Sequence, residues 1–307
     1  MTREYVFHTL DVFTDRIFGG NPLAVLPDAR GLDTAQMEHI TREFNLSETV
    51  FVLPPDDPAH AARLRIFTPG RELPFAGHPT VGTAFLLATL GRVALTGDDT
   101  HIVLEEGVGP VPVTIRARDG VPVSTELTAA QKPELRDDVP SARDIARMLS
   151  LAESDLLDAA MPPRAVSCGV PFLLVPLRDQ ECVSRARVDR GAWDGTLHDD
   201  AWAREVYLFD GGAASRNATI RARMFAPSLG IAEDPATGSA AACLAAYLAA
   251  TAPTQDGELR WTIEQGVEMG RTSTLHITAE LAAGEIAAIR VAGESVAVSH
   301  GTLRIPE

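Results

Sequence analysis

Three side chains in this 307-residue sequence could transfer protons, and each lies next to a predicted apolar element. Glu48 comes two residues before the apolar run 50–53. His78 precedes the apolar segment 80–90, and Asp234 precedes the apolar segment 236–252. A glutamate entering a buried strand is costly unless it is paired or protonated, and burial favours the protonated form. A carboxyl group that exchanges a proton easily is what a general acid–base catalyst needs.

Each of the three residues also has a simpler interpretation. Glu48 could lie exposed at the edge of a strand, His78 could be an ordinary loop residue, and Asp234 could be only a helix N-cap. The functional hypothesis is favoured because His78 and Asp234 occupy the same point in two similar stretches of sequence.

The chain contains an internal repeat. Three pairs of segments match in the same order and at nearly constant separation: 65–69 (RIFTP) with 223–227 (RMFAP), 78–84 (HPTVGTA) with 234–240 (DPATGSA), and 105–108 (EEGV) with 264–267 (EQGV). The period is too long for a solenoid, so the repeat predicts two homologous domains. We predict domains 1–128 and 129–307, joined in the polar stretch 129–143. The sequence leaves open whether the last strand, 296–305, returns to the first domain.

The predicted fold class is α+β, in which each domain is a curved β-sheet or roll wrapped around a central α-helix. Two segments, 80–90 and 236–252, are apolar on nearly every side, and such helices must be buried all round. A further helix is predicted over 33–44, with Asp33 as its N-cap. Predicted strands precede and follow the apolar helices: 5–13, 23–26, 49–53, 62–67, 102–104, 111–115, 166–177 (broken at 169–171), 205–209, 222–225, 259–265, 274–280, 286–292 and 296–305.

A Pro- and Gly-rich loop leads into each apolar helix. The first turn of a helix has unpaired N–H groups and a partial positive charge. Proline suits that turn, and glycine lets a ligand approach the backbone. Two such helix starts facing one cleft would bind a carboxylate and leave room for acid–base groups.

Composition excludes several classes of partner and cofactor. The net charge of −15 argues against nucleic acid and against an anionic membrane surface, but not against a small anionic substrate. The N-terminus has no signal-peptide core, so we expect a cytoplasmic protein. Cys168, Cys182 and Cys243 form no disulfide or zinc pattern. No metal-binding histidine spacing and no nucleotide-binding glycine loop occurs, so we expect no metal and no cofactor.

The sequence resembles the phenazine-biosynthesis-like (PhzF-type) isomerase family, which shares its fold with diaminopimelate epimerase and proline racemase. The resemblance covers almost the whole chain, and the pair ELPFAGHPT and EDPATGSA is specific. The matching segments are DVFTDRIFGGNPLAVL, NLSETVF, RIFTPGRELPFAGHPTVGTA, CGVPFLLVPL, EDPATGSAA and EQGVEMGR.

The resemblance implies a cofactor-independent homodimer whose active site lies between the two domains. It implies that Glu48 is the main acid–base and that His78 and Asp234 assist it. It further implies that four neighbouring residues line the site and bind a substrate carboxylate: Ser47, Gly77, Gly238 and Ser239. Diaminopimelate epimerase has two cysteines near the two helix starts. Here Gly77-His78 and Asp234 stand there, which removes a two-thiol mechanism.

The sequence therefore predicts an isomerase that moves a proton between carbons of a small carboxylated metabolite. Two alternatives remain open: a racemase, epimerase or dehydratase of a small amino or hydroxy acid, and a non-catalytic carboxylate-binding protein. The fold serves all of these chemistries and cannot choose among them. The sequence does not identify the substrate.

Overall fold

The chain forms two units, each with strands around a buried helix. A computed structural model describes residues 2–157, 161–214 and 219–306. Unit 1 comprises Met1–Ala130 and Val291–Glu307, and unit 2 comprises Gln131–Arg290. The strands are β1 (Thr2–Val12), β2 (Asn21–Leu26), β3 (Glu48–Leu53), β4 (Ala62–Phe67), β5 (Glu72–Leu73), β6 (Asp99–Glu106), β7 (Gly109–Arg118), β8 (Val121–Thr128), β9 (Glu134–Arg136), β10 (Arg164–Ser167), β11 (Pro171–Leu177), β12 (Glu205–Asp210), β13 (Thr219–Ala226), β14 (Ile231–Asp234), β15 (Gly257–Gln265), β16 (Ser273–Ala282), β17 (Glu285–Gly293) and β18 (Ser295–Pro306). The helices are α1 (Thr34–Phe44), α2 (Gly77–Thr89), α3 (Ala142–Met148), α4 (Gln180–Arg185), α5 (Arg190–Thr196) and α6 (Gly238–Thr251).

In unit 1 strands surround helix α2. The helix contacts β1, β2, β3, β7, β8 and β18. Nearly all of its side chains are buried, because the segment has no polar face to turn toward water. From β2 onward the strand pairs alternate: β2 is parallel to β3, β3 is antiparallel to β4, β4 is parallel to β6, and β6 is antiparallel to β7.

In unit 2 the same arrangement surrounds helix α6. This Ala-rich helix is buried over most of its length and contacts β10, β11, β15 and β16. Here β11 is parallel to β12, β12 is antiparallel to β13, β13 is parallel to β15, and β15 is antiparallel to β16. The alternation repeats that of unit 1. The structure therefore confirms the predicted α+β fold of two homologous sheet-and-helix domains.

The unit boundaries differ in detail from the predicted segments. Unit 2 begins at Gln131, and β9 lies inside the stretch predicted as a polar linker. The segment Val291–Glu307 belongs to unit 1, where β18 pairs antiparallel with β1 along its length. Short elements without clear periodicity, including α3, α4, α5 and β14, were not predicted. In the described parts of the chain, no helix is both long enough and apolar enough to cross a membrane.

Gly82 allows α2 to pack closely against β1 and β2. A Cβ atom at this position would lie 2.6 Å from Val12 Cγ2 and 2.8 Å from Leu23 Cδ2. Both neighbours are themselves fully buried, so neither side chain has room to move away.

We therefore expect Gly82→Ala to lower the free energy of unfolding by about 1–3 kcal/mol, because it overpacks the core. Urea denaturation followed by circular dichroism measures this change. Gly195→Ala is the matched control: it lies in helix α5, and a Cβ there meets nothing within 4 Å. Equal stability of Gly82→Ala and the natural protein would show that the helix can shift away from β1 and β2.

Candidate active site

Glu48 is held where helix α1 gives way to strand β3. Asn45 ends α1 in a left-handed conformation (φ 50°) and donates its N–H to the Thr41 carbonyl. Three residues later the chain enters β3, whose first residue, Glu48, is paired with Leu23 of the parallel strand β2. Glu48 is only 8% exposed. The interpretation of Glu48 as an exposed strand-edge residue is therefore wrong.

His78 lies directly against this carboxyl group. It is the second residue of α2 and is buried, so the interpretation of it as a loop residue is also wrong. Its Nε2 atom is 3.2 Å from Glu48 Oε2. Its other ring nitrogen, Nδ1, is 3.1 Å from the Nδ2 atom of Asn21, a fully buried residue at the start of β2.

The contact with Asn21 determines where His78 carries its proton. An amide NH₂ group can only donate, so Nδ1 of His78 accepts a hydrogen bond from Asn21 and carries no proton. Burial lowers the pKa of His78 to about 3, so the ring is neutral at neutral pH. The single proton of the neutral ring is then on Nε2, the nitrogen that lies 3.2 Å from Oε2 of Glu48.

This arrangement separates the roles of the two residues. A neutral imidazole with its proton on Nε2 can donate to a carboxylate, and Oε2 of Glu48 lies 3.2 Å from this nitrogen. It does not accept a proton from Glu48, because the remaining nitrogen already accepts from Asn21. Of the two groups, Glu48 is therefore the one suited to take up and return a proton.

Asp234 is the last residue of β14 and is also buried. Its Oδ2 atom accepts a 2.6 Å hydrogen bond from the hydroxyl of Thr237, and its backbone carbonyl accepts from Nε2 of Gln265 at 2.8 Å. The N-cap of helix α6 is Thr237. The interpretation of Asp234 as the N-cap is therefore wrong, because the carboxyl group binds the capping residue instead.

Three of the four predicted carboxylate-binding residues, Gly77, Gly238 and Ser239, lie at the two helix starts. Ser47 is half-buried and immediately precedes Glu48. Gly77 and Gly238 are the buried first residues of α2 and α6, and Ser239 follows Gly238. Neither N-cap residue bonds the first turn of its helix through its side chain. In unit 1 the structure thus brings Glu48 and His78 into contact. Asp234, Gly238 and Ser239 lie in unit 2, at the end of β14 and the start of α6.

Both loops that enter these helices are anchored by the same kind of ion pair. In unit 1, Arg65 binds Glu72 through two hydrogen bonds of 2.7 Å. In unit 2, the buried Arg223 binds Glu233 through two hydrogen bonds of 2.8 Å. Bidentate pairs of this geometry fix direction as well as distance. The repeat had identified the two arginines, but the spacing to each glutamate differs, so sequence matching missed the partners.

Sequence reasoning also missed Asn21 as a functional residue. Its segment, Gly19-Gly20-Asn21-Pro22, has a composition typical of turns. A turn explains the presence of all four residues, so the segment offered no reason to assign Asn21 a functional role. Only the fold shows that the side chain is buried against His78.

The cysteines have the buried character expected of structural residues. All three are free and buried, and burial raises the pKa values of Cys182 and Cys243. Thiols of this kind are poor nucleophiles at neutral pH. Within residues 2–157, 161–214 and 219–306, no three His, Cys, Asp or Glu side chains are grouped so that they could hold a metal ion.

Comparison with known proteins places this chain in a family that includes named isomerases. The family model described as phenazine biosynthesis-like protein matches residues 10–301. A protein of Mesorhizobium japonicum, described as an uncharacterized isomerase, is 41% identical over 307 residues, which covers 99% of each chain. The trans-2,3-dihydro-3-hydroxyanthranilate isomerase of Pseudomonas aeruginosa is 35% identical over 293 residues, covering 95% of this chain and 96% of its own.

A solved structure shows the same fold. The Bacillus anthracis phenazine biosynthesis protein of the PhzF family superposes with a TM-score of 0.84 at 24% identity, covering 98% of this chain and 99% of its own. The chain belongs to the phenazine biosynthesis-like (PhzF) family and is an isomerase of that family.

The contact between Asn21 and His78 gives a direct prediction. In Asn21→Asp, a carboxylate would face Nδ1 and favour a proton there, so the pKa of His78 should rise well above its value of about 3 in the natural protein. A pH titration of ¹⁵N-labelled histidine by NMR measures this shift. Asn21→Ala, which removes the hydrogen bond without adding a charge, should leave the pKa low. A His78 that titrates near its ordinary value in the natural protein would contradict the assignment.

Proposed function

We propose that this protein is a cofactor-independent isomerase that moves a proton between two carbons of a small carboxylated metabolite, with Glu48 as the general acid–base. The proposal includes a homodimer in the cytoplasm, as the family resemblance implies. Its main support is one observation: the buried Glu48 carboxyl lies 3.2 Å from a histidine that is neutral and fixed in one tautomer.

A single carboxyl group beside a fixed donor suits a proton shuttle. In the proposed reaction, Glu48 removes a proton from a C–H bond that the substrate's conjugated system activates. The electron pair of that bond moves into the conjugated system, and Glu48 then returns the same proton to another carbon. No electrons are gained or lost overall. General acid–base catalysis of this kind contributes typically about 10²–10⁴-fold to a rate.

The starts of the two buried helices support a carboxylated substrate. Backbone N–H groups in a first turn attract anions, and neither N-cap side chain satisfies them here. We propose that Gly77, Gly238 and Ser239, with Ser47, bind the substrate carboxylate. Asp234, whose carboxyl group is oriented by Thr237, is proposed to position the substrate or relay a proton.

The relatives suggest which carboxylates to test first. Several are named trans-2,3-dihydro-3-hydroxyanthranilate isomerase and cover nearly the whole chain at 34–35% identity. That compound carries both a carboxylate and the unsaturation that would activate a C–H bond. Dihydro-hydroxyanthranilates and related unsaturated carboxylates therefore form the proposed substrate class.

The test is hydrogen exchange from D₂O into such carboxylates, detected by mass spectrometry. We expect Glu48→Gln to lower the rate of deuterium uptake or isomerisation by at least about 10²-fold, because the amide cannot exchange a proton with carbon. Glu43→Gln, an exposed glutamate five residues earlier, is the matched control and should leave the rate unchanged.

Two outcomes would contradict the proposal. Full activity in Glu48→Gln would exclude Glu48 as the base and make His78 or Asp234 the candidate. Deuterium uptake with inversion at a single α-carbon would instead identify a racemase or epimerase.

A further inference from the structure

A second buried glutamate, Glu106, lies next to the start of helix α2 and has no part in the proposed chemistry. It is the last residue of β6 and is only 8% exposed. Its Oε1 atom is 2.6 Å from the hydroxyl oxygen of Thr80, and the backbone N–H of Ala76 also bonds to its carboxyl group. Ala76 and Thr80 flank the first turn of α2, which contains His78.

The hydroxyl group of Thr80 shows which form of Glu106 fits this arrangement. Its oxygen is 2.7 Å from the carbonyl oxygen of Ala76 and 2.6 Å from Oε1 of Glu106. Both of these atoms are acceptors if Glu106 is ionised, yet a hydroxyl has only one proton to donate. Both short contacts become hydrogen bonds if Glu106 is protonated. It then donates to Thr80, and Thr80 donates to the Ala76 carbonyl.

The surroundings of the second carboxyl oxygen also favour the protonated form of Glu106. Oε2 of Glu106 is buried and has no hydrogen-bond partner among the described residues. Negative charge on such an atom would be neither solvated nor paired, which is expensive in a protein interior. Burial accordingly raises the pKa of Glu106 to about 8, although the bonds to Thr80 and Ala76 act in the opposite direction.

The charged groups on neighbouring elements do not reach Glu106. On β4, Arg63 pairs with Asp56 and Arg65 with Glu72 of β5, and on β7 Arg116 pairs with Asp99 and Glu126. The adjacent Glu105 binds His60 and the backbone N–H groups of Asp56 and Asp57. His78, on α2, is neutral. Among the described residues, no cation lies within ion-pair distance of the Glu106 carboxyl group.

Unit 2 has a permanently neutral group at the matching position. The repeat aligns Glu106 with Gln265, which is fully buried at the end of β15. Its amide nitrogen donates to the Thr237 hydroxyl at 3.1 Å and to the Asp234 carbonyl at 2.8 Å, and its Oε1 accepts from the backbone N–H of Thr237 at 3.3 Å. Gln265 thus bonds a threonine hydroxyl and the backbone at the start of α6, as Glu106 does at the start of α2.

We infer that Glu106 is a protonated, uncharged positioning residue, which donates a hydrogen bond to Thr80 and so fixes the helix turn that holds His78 against Glu48. The protonation state stands on the geometry alone. The consequence for catalysis rests on the proposed function.

The first test measures protonation without any substrate. In the folded protein Glu106 keeps its proton up to a pH of about 8, whereas in the unfolded chain it loses the proton near the ordinary value of 4.5. The folded state therefore binds one more proton in this window, and its stability must fall as pH rises from 4.5 to 8. The unfolding equilibrium constant of the natural protein, divided by that of Glu106→Gln, should increase about tenfold per pH unit between pH 4.5 and 8. Above pH 8 the ratio should stay constant.

The adjacent Glu105→Gln variant is the matched control. Hydrogen bonds from the backbone N–H groups of Asp56 and Asp57 lower the pKa of Glu105 to about 2. The contribution of the Glu105 carboxylate to stability is therefore lost only below pH 4.5, which is the ordinary pKa of this group. Because Glu105→Gln also removes the contact with His60, its stability difference from the natural protein need not be constant, but it should lack the sustained tenfold change per pH unit from pH 4.5 to 8 that is expected for Glu106→Gln. A constant difference for Glu106→Gln would overturn the inference, because it would mean that Glu106 is ionised in the folded protein.

The second test measures the effect on catalysis in the D₂O exchange assay. Glu106→Gln should retain the rate and should keep it at alkaline pH, where the natural protein loses rate as Glu106 ionises. Glu106→Ala should have a lower kcat than the natural protein and an unchanged KM. Full kcat in Glu106→Ala would overturn the positioning role. If the natural protein shows no exchange at all, the proposed function fails, while the unfolding measurement still decides the state of Glu106.

Discussion

The contact between the Glu48 carboxyl group and Nε2 of His78 is the constraint around which unit 1 is organised. A carboxyl group at the entrance of a buried strand needs a donor, and a buried histidine needs a partner for each nitrogen. Oε2 of Glu48 and Nε2 of His78 lie 3.2 Å apart, and Asn21 donates a hydrogen bond to the other ring nitrogen. The three residues come from the starts of β3, α2 and β2, so the contact requires the parallel pairing of β2 with β3 and the close packing of α2 against them.

The two repeats show how one scaffold can hold different chemistry. Each buried helix follows a loop anchored by a bidentate Arg–Glu pair, and each first turn is bonded by a neutral side chain at the end of a strand. Even the first residue of β12 is a buried glutamate, Glu205, like Glu48 at the start of β3. The repeats differ at the helix starts, where unit 1 has His78 and unit 2 has Asp234. The scaffold is therefore duplicated, while the groups that could act on a substrate have diverged.

Much of this organisation could be predicted from the sequence because its signals are strong. The apolar helices α2 and α6 have no polar face, so their burial followed directly, and the matched motifs indicated the duplication and the fold. The motifs also singled out Glu48, His78 and Asp234, of which the structure brings Glu48 and His78 into contact. Asn21, Glu106 and Gln265 could not be assigned roles in this way, because their importance depends on contacts between segments distant in sequence. The partners of Arg65 and Arg223 were missed for the same reason.

The position of the proton on the His78 ring decides whether His78 or Glu48 can act as the base. Neutron diffraction from crystals of the natural protein exchanged into D₂O at neutral pH would show it most directly. We predict deuterium on Nε2 of His78, the nitrogen 3.2 Å from Glu48, and none on Nδ1, which accepts from Asn21. Deuterium on Nδ1, or on both nitrogens, would contradict the assignment of Glu48 as the proton shuttle and of His78 as its neutral donor.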